Sequence, residues 1–307
     1  MKIAVIGAGA MGCYFGGYLS LKNEVIFIDS YESVVNSINT HGIYLTEVDD
    51  TVVHFGNVKA FQSGKFNEIV DLVIVLVKTT YTLDALELNK NLIGEETIAL
   101  TLQNGGGNDL KLAKYFKPEN IILGTTTNNC VNLGNGKTKH SGLGKTYFGS
   151  NSNLELASKI CLLFNNCCIK SDVASNINCL IWNKLFVNLV VNCLTALLEM
   201  PIGFMLHNEP SKKFVKCILS EAIQIANQEG LNYKLADVYA DVYKIIEEQA
   251  KGYASMCQDR RRHAKLEIDA INGYVVLKGK EYNIATPYNE LMVVIMNAVM
   301  ETYKFKQ

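Results

Sequence analysis

The sequence predicts an α/β domain built on a doubly wound, mostly parallel sheet, followed by an all-α domain. Three observations carry that expectation. A glycine-rich turn, Gly7-Ala8-Gly9-Ala10-Met11-Gly12, stands between a short apolar strand at 2–6 and a helix-compatible segment at 13–21. The almost unbroken, β-branched run at 69–77 has the character of a central parallel strand. Beyond about residue 175 the apolar residues recur at helical spacing instead. With 307 residues, 49% of them apolar, the chain can build a core in each of two domains. The expected domains are residues 1–174 and 175–307.

Charge and composition narrow the function classes. There are 29 basic and 30 acidic side chains, which leaves no global field favouring nucleic acid or an anionic membrane. The apolar run before Gly7 is too short for a signal peptide, and Glu24 and Asp29 follow soon after it. No uninterrupted apolar stretch approaches the ~18 residues of a membrane span. Nine cysteines without C-x-x-C spacing read as small buried hydrophobes, with no metal site. A cytoplasmic protein is expected.

The glycine turn opens a βαβ unit, completed by a second strand at 24–29. Gly7 permits the tight turn, Gly9 lets a pyrophosphate approach the backbone, and Gly12 allows helix and strand to pack. The helix N-terminus behind Ala10 and Met11 adds free N–H groups and partial positive charge. Asp29 ends the second strand, where an acid accepts hydrogen bonds from an adenosine ribose; the alternative is a helix N-cap. No arginine stands near it, since all three are Arg260–Arg262. NADH is therefore favoured, with NADPH left open.

Short strands are expected at 44–46 and 51–55. Lys78 ends the 69–77 strand, and Gln103-Asn104-Gly105-Gly106-Gly107 ends the next, at 97–102. Ligands gather at such carboxyl ends, so Lys78 and Asn104 are candidates for cofactor or substrate contact. A helix at 109–115 and a strand at 120–124 follow. Segments 138–140 and 145–148 read as an antiparallel hairpin that finishes the sheet, with His140 on its surface. An amphipathic helix at 154–164 and a last strand at 168–171 close the domain.

In the second half, Ile181–Asn192 is an apolar helix that carries Lys184, Asn188 and Asn192 at steps of four. That spacing makes one polar column. It is either an active-site column or a lysine snorkelling to water above two satisfied asparagines. Helices at 212–229 and 235–250 follow. Ser255 suits a helix cap or an anion contact. Glu267 and Asp269, on a helix running to Leu277, read with Arg260–Arg262 as a solvated, salt-bridged face.

Taken together, these segments resemble the ketopantoate reductase (2-dehydropantoate 2-reductase) family over nearly the whole chain. The resemblance lies in the glycine motif, Lys78, Leu102-Gln103-Asn104-Gly105 and Gly124-Thr125-Thr126-Thr127. It continues in W-N-K-L-F-V-N-L-V-V-N-C-L-T-A from Trp182, in S-M-C-Q-D from Ser255 and in E-I-D-A-I-N-G from Glu267. It implies NAD(P)H-dependent reduction of 2-dehydropantoate, a small 2-keto acid, to (R)-pantoate in pantothenate biosynthesis. Lys184 would be the general acid, with Glu267 beside it. Asn104, Asn188, Asn192 and Ser255 would contact the substrate, and Lys78 and Asn104 the cofactor. A homodimer is left open, and neither nucleic acid nor membrane is implied.

Two departures stand out. Members with a basic residue after the second strand grip a 2′-phosphate, whereas here Asp29-Ser30 occupies that place. Some members carry an asparagine where this chain has Ile202-Gly203. The second departure keeps a sister dehydrogenase for another branched 2-keto acid as an alternative, beside a non-catalytic NAD-binding redox sensor.

Overall fold

In a computed structural model that describes residues 1–305, the chain begins with β1 (Lys2–Ile6), whose last four residues are fully buried. It continues through α1 (Ala10–Leu19), β2 (Glu24–Asp29), α2 (Glu32–His41), β3 (Ile43–Thr46), β4 (Val52–Phe55) and β5 (Lys59–Gln62). Next come β6 (Leu72–Val75), α3 (Thr82–Leu88), β7 (Ile98–Thr101), α4 (Asn108–Leu112) and β8 (Ile121–Thr126). Then follow β9 (Asn129–Gly134), β10 (Lys137–Gly142), β11 (Thr146–Gly149), α5 (Leu154–Asn166) and β12 (Ser171–Val173).

The main sheet has eight strands in the order β12-β11-β8-β7-β6-β1-β2-β5. β1 pairs parallel with β2 on one side and with β6 on the other, so the order reverses at β1. In open sheets of this class a ligand crevice forms at such a reversal, outside the carboxyl ends. This is the expected doubly wound, mostly parallel sheet, with β11 antiparallel to β8.

The expected hairpin does not form. β10 instead pairs with β9 and β3 in a second sheet, ordered β4-β3-β10-β9, while β11 joins β8 and β12. Alternation marks both segments as strands but does not choose their partners. The choice is made by Asn128, whose side-chain oxygen accepts from Gly144 N at 3.0 Å, and by the Thr126–Thr146 hydroxyl pair at 3.0 Å. His140 is not on the surface either: it is 2% exposed. Its ring bridges Glu47 at 2.7 Å and Asn128 at 3.0 Å and lies 4.7 Å from the Tyr14 ring of α1. The second sheet thus rests on the helix behind the glycine turn.

Contacts divide the chain into two units, Met1–Gln103 with Asn108–Ile177, and Asn104–Gly107 with Asn178–Gln307. The second unit is helical. It contains α6 (Ile177–Leu198), α7 (Glu209–Gln228), α8 (Leu235–Glu248), α9 (Ser255–Arg261), α10 (Asn272–Tyr282) and α11 (Pro287–Glu301). Its core gathers Trp182, Phe186 and Leu189 of α6 with Met205, Ile218 and Met296. By length and composition α6 would suffice to cross a membrane, which counting uninterrupted apolar runs did not reveal. Its apolar side chains are instead spent on this core.

Three local expectations change here. α7 begins before residue 212, because Asn208 accepts from Ser211 N at 2.9 Å and Pro210 suits the first turn. The helix expected from Glu267 to Leu277 is interrupted: a 3-10 turn ends at Ile271 (φ −101, ψ −92), and α10 starts at Asn272. The arginine run is not a solvated face with Glu267 and Asp269. Arg260 donates to the Ala196 and Leu197 carbonyls and pairs with Glu199 at 3.2 Å. Arg261 donates to Glu199 O at 3.1 Å and covers the Tyr253 ring at 3.9 Å. Two guanidiniums therefore close the C-terminus of α6, where its carbonyls lack helical partners.

Candidate active site

The first group of candidate residues lies at the carboxyl ends of β1, β2 and β6. Gly7 has φ +103 and donates to Ile28 O at 2.8 Å. A Cβ on Gly7 would fall 2.7 Å from Val77 N, and one on Gly12 only 1.9 Å from Gly7 O. Both positions exclude any other residue. Gly9 is different: nothing lies within 4 Å of where its Cβ would be. The open backbone there, at the N-terminus of α1 beside Ala10 and Met11, suits an approaching pyrophosphate. Among the described residues this turn fits a dinucleotide.

Asp29 does more than end its strand. One carboxylate oxygen accepts from Ala8 N at 2.9 Å and the other from Tyr31 N at 3.0 Å. The acid braces the glycine turn and the entrance to α2 at once, while Tyr31, not Asp29, is the cap of α2. Each oxygen keeps acceptor capacity for a further donor. Lys78 is half-buried just beyond β6 and leads into a 3-10 turn at Thr79–Tyr81.

The second group lies in the helical unit. α6 is continuous through Lys184, Asn188 and Asn192, so the three side chains form the expected column. Lys184 is half-buried by exposure, yet its ammonium sits deep enough that burial lowers its pKa from 10.5 to about 8. The nearby negative charge of Glu267 opposes that fall. An acid near 8 is mostly protonated at pH 7 and still able to give up its proton. Asn192 is 4% exposed. The Asn188 side-chain nitrogen is buried and has no hydrogen-bond partner, a cost of about 1–3 kcal/mol that a bound acceptor would relieve.

Asn104 belongs to this unit as well, although the chain on both sides of its segment belongs to the other. Ser255 is the first residue of α9 and exposed; the cap position is Ala254, so the capping role is not taken up. Asn272 is a residue that the motif contained but to which no role was given. It is fully buried and donates to Leu189 O of α6 at 3.2 Å and to Asn289 at 3.0 Å. It anchors α6, the helix of the Lys184 column, from α10. Only its polar character beside the apolar Ala270-Ile271, in A-I-N-G, could have marked it.

Comparison with known proteins meets this geometry. Residues 3–153 match the family described as Ketopantoate reductase PanE/ApbA, and residues 176–300 match its C-terminal counterpart. A 2-dehydropantoate 2-reductase from Streptococcus pyogenes is 31% identical over 303 residues, 97% of each chain. Among solved structures, a putative 2-dehydropantoate 2-reductase from Enterococcus faecalis is 30% identical with a TM-score of 0.82, covering 98% of each chain. A D-mandelate dehydrogenase with NADH and anilino(oxo)acetate superposes with a TM-score of 0.91 at 29% identity, covering 98% of this chain and 99% of its own.

Proposed function

Because the chain belongs to the ketopantoate reductase family, we propose that it reduces the keto group of 2-dehydropantoate to (R)-pantoate, with NADH preferred. The nicotinamide supplies a hydride to the carbonyl carbon. Negative charge then grows on the carbonyl oxygen, and Lys184 meets it with a positive charge and a proton. The observation that carries this role is the opposition of forces at Lys184, where burial pulls the pKa to about 8 and Glu267 holds it from falling further. Asn188, with its unpartnered buried nitrogen, and Asn192 would hold substrate oxygens along the same column. Asn104 and Ser255 would complete the substrate contacts, and Gly7–Gly12, Asp29, Lys78 and again Asn104 the cofactor's.

A second reading has its own support. The D-mandelate dehydrogenase neighbour was solved with NADH and a 2-oxo acid that bears a bulky nitrogen substituent, and Ile202-Gly203 replaces an expected polar position. The chain would then serve another branched 2-keto acid by the same chemistry. Loss of NADH absorbance on mixing with 2-dehydropantoate, 2-ketoisovalerate and bulkier 2-keto acids separates the readings. The highest kcat/KM should belong to 2-dehydropantoate. A clear preference for another acid would assign the chain to the sister activity, and no turnover of any would refute both.

A further inference from the structure

Asn104 lies in a segment, Asn104–Gly107, that packs with the helical unit, and the contacts that hold it there are specific. Gly106 N donates to Ala270 O at 2.9 Å. Gly105, at φ +87, passes so close that a Cβ would fall 2.4 Å from the same oxygen. Gly106 lies flat on the Tyr274 ring, where a Cβ would come within 2.2 Å of the ring carbons. Tyr274 is thus the floor of the segment.

That floor is tied to the helix of Lys184 through one carboxylate. Tyr274 donates its hydroxyl to one Glu229 oxygen at 3.2 Å, and Trp182 donates its indole N–H to the other at 2.8 Å. The Trp182 and Tyr274 rings are 5.8 Å apart between centroids. Trp182 is 2% exposed and precedes Lys184 by two residues on α6. Lys278, 4.0 Å from Glu229, offsets the charge of a carboxylate held in a partly dry place.

We propose that Tyr274 and Glu229 are positioning residues that set Asn104 in register with Lys184. The proposal rests on the substrate role given to Asn104 above. A ring stacked under a glycine fixes the height of the segment, and the shared carboxylate fixes that ring against α6. Neither residue touches the reacting atoms. Displacing a substrate-orienting group by about 1 Å can cost 10²-fold in rate.

Gly106→Ala tests this, because its methyl group must push the segment off the Tyr274 ring. Its kcat/KM for the keto acid should fall about tenfold or more, a larger change than that in the NADH dissociation constant read by fluorescence titration. Tyr274→Leu should also lower kcat/KM, by withdrawing the floor, and the double variant should recover most of the loss by refilling that space. Glu229→Gln, which leaves the ring and the glycine in place, should lower kcat/KM for the keto acid too. Kinetics like the unmodified protein's in Gly106→Ala and Tyr274→Leu, or equal losses that simply multiply in the double variant, would overturn the proposal. If Gly106→Ala does not fold, Tyr274→Leu and Glu229→Gln decide: a melting temperature that drops with unchanged keto-acid kinetics overturns it. Failure of the unmodified protein to reduce any keto acid would refute the functional reading instead.

Discussion

As the proposed proton donor, Lys184 would couple function to stability with opposite signs. A pKa lowered from 10.5 to about 8 means the folded state disfavours the charged ammonium by about 3 kcal/mol. Below pH 8 that penalty is fully present. Between pH 8 and 10.5 the unfolded chain binds a proton that the folded one has released, so stability rises with pH through this window. Lys184→Met should therefore raise the melting temperature at pH 7, and the gain should shrink as pH approaches 10.5. The same variant should lose about 10²-fold or more in kcat with NADH binding intact. Glu267→Gln removes the charge that holds the Lys184 pKa up, so the alkaline limb of the rate profile should move to lower pH. A limb that stays in place would detach Glu267 from the lysine.

Asp29 braces the backbone around it and is proposed to select NADH, and substitution can separate the two. A 2′-phosphate about 4 Å from its carboxylate would be repelled by about 4 kcal/mol per charge pair at an effective dielectric of ~20, before relaxation and salt. A third of that would give roughly tenfold preference for NADH. The carboxylate also holds Ala8 N and Tyr31 N. Asp29→Ala should therefore weaken both cofactors, by about 1–2 kcal/mol for the lost brace. Only Asp29→Ala with Ser30→Arg should reverse the preference, as read from kcat/KM with each cofactor. Equal use of NADPH by the unmodified protein would contradict this reading of Asp29.

Among the elements, α6 is where local pattern and tertiary context meet. Its apolar run and its polar column were legible because both are periodic along the chain. Its C-terminal closure was not, since Arg260 reaches Ala196 and Leu197 from more than sixty residues away. Arg260→Ala leaves those carbonyls and Glu199 without the guanidinium, and should lower stability by about 1–3 kcal/mol in urea unfolding. An unchanged midpoint would reduce the contact to surface decoration. His140 and the missing hairpin have the same origin: strand character is local, but β10 takes its partners from β9 and β3, and His140 takes its burial from α1. The glycine turn was legible down to single residues, because Gly7 and Gly12 are positions where backbone geometry admits nothing else.

Across the whole molecule, a sheet unit with its order reversing at β1 carries the glycine turn, Asp29 and Lys78, and a helical unit carries Lys184, Glu267 and the asparagines. The sequence pattern of each half was sufficient to expect a mostly parallel sheet first and helices after it. It did not reveal that Asn104–Gly107 packs with the helical unit, because the segment is continuous in sequence with the strand before it. The central claim, that Lys184 is the proton donor of a keto-acid reductase, is tested most directly by kcat/KM for the keto acid against pH at saturating NADH. The profile should be level near neutrality and fall tenfold per pH unit above about 8, the pKa that burial and Glu267 set for Lys184. A profile level to pH 10, in a protein that still turns over its substrate, would contradict the account.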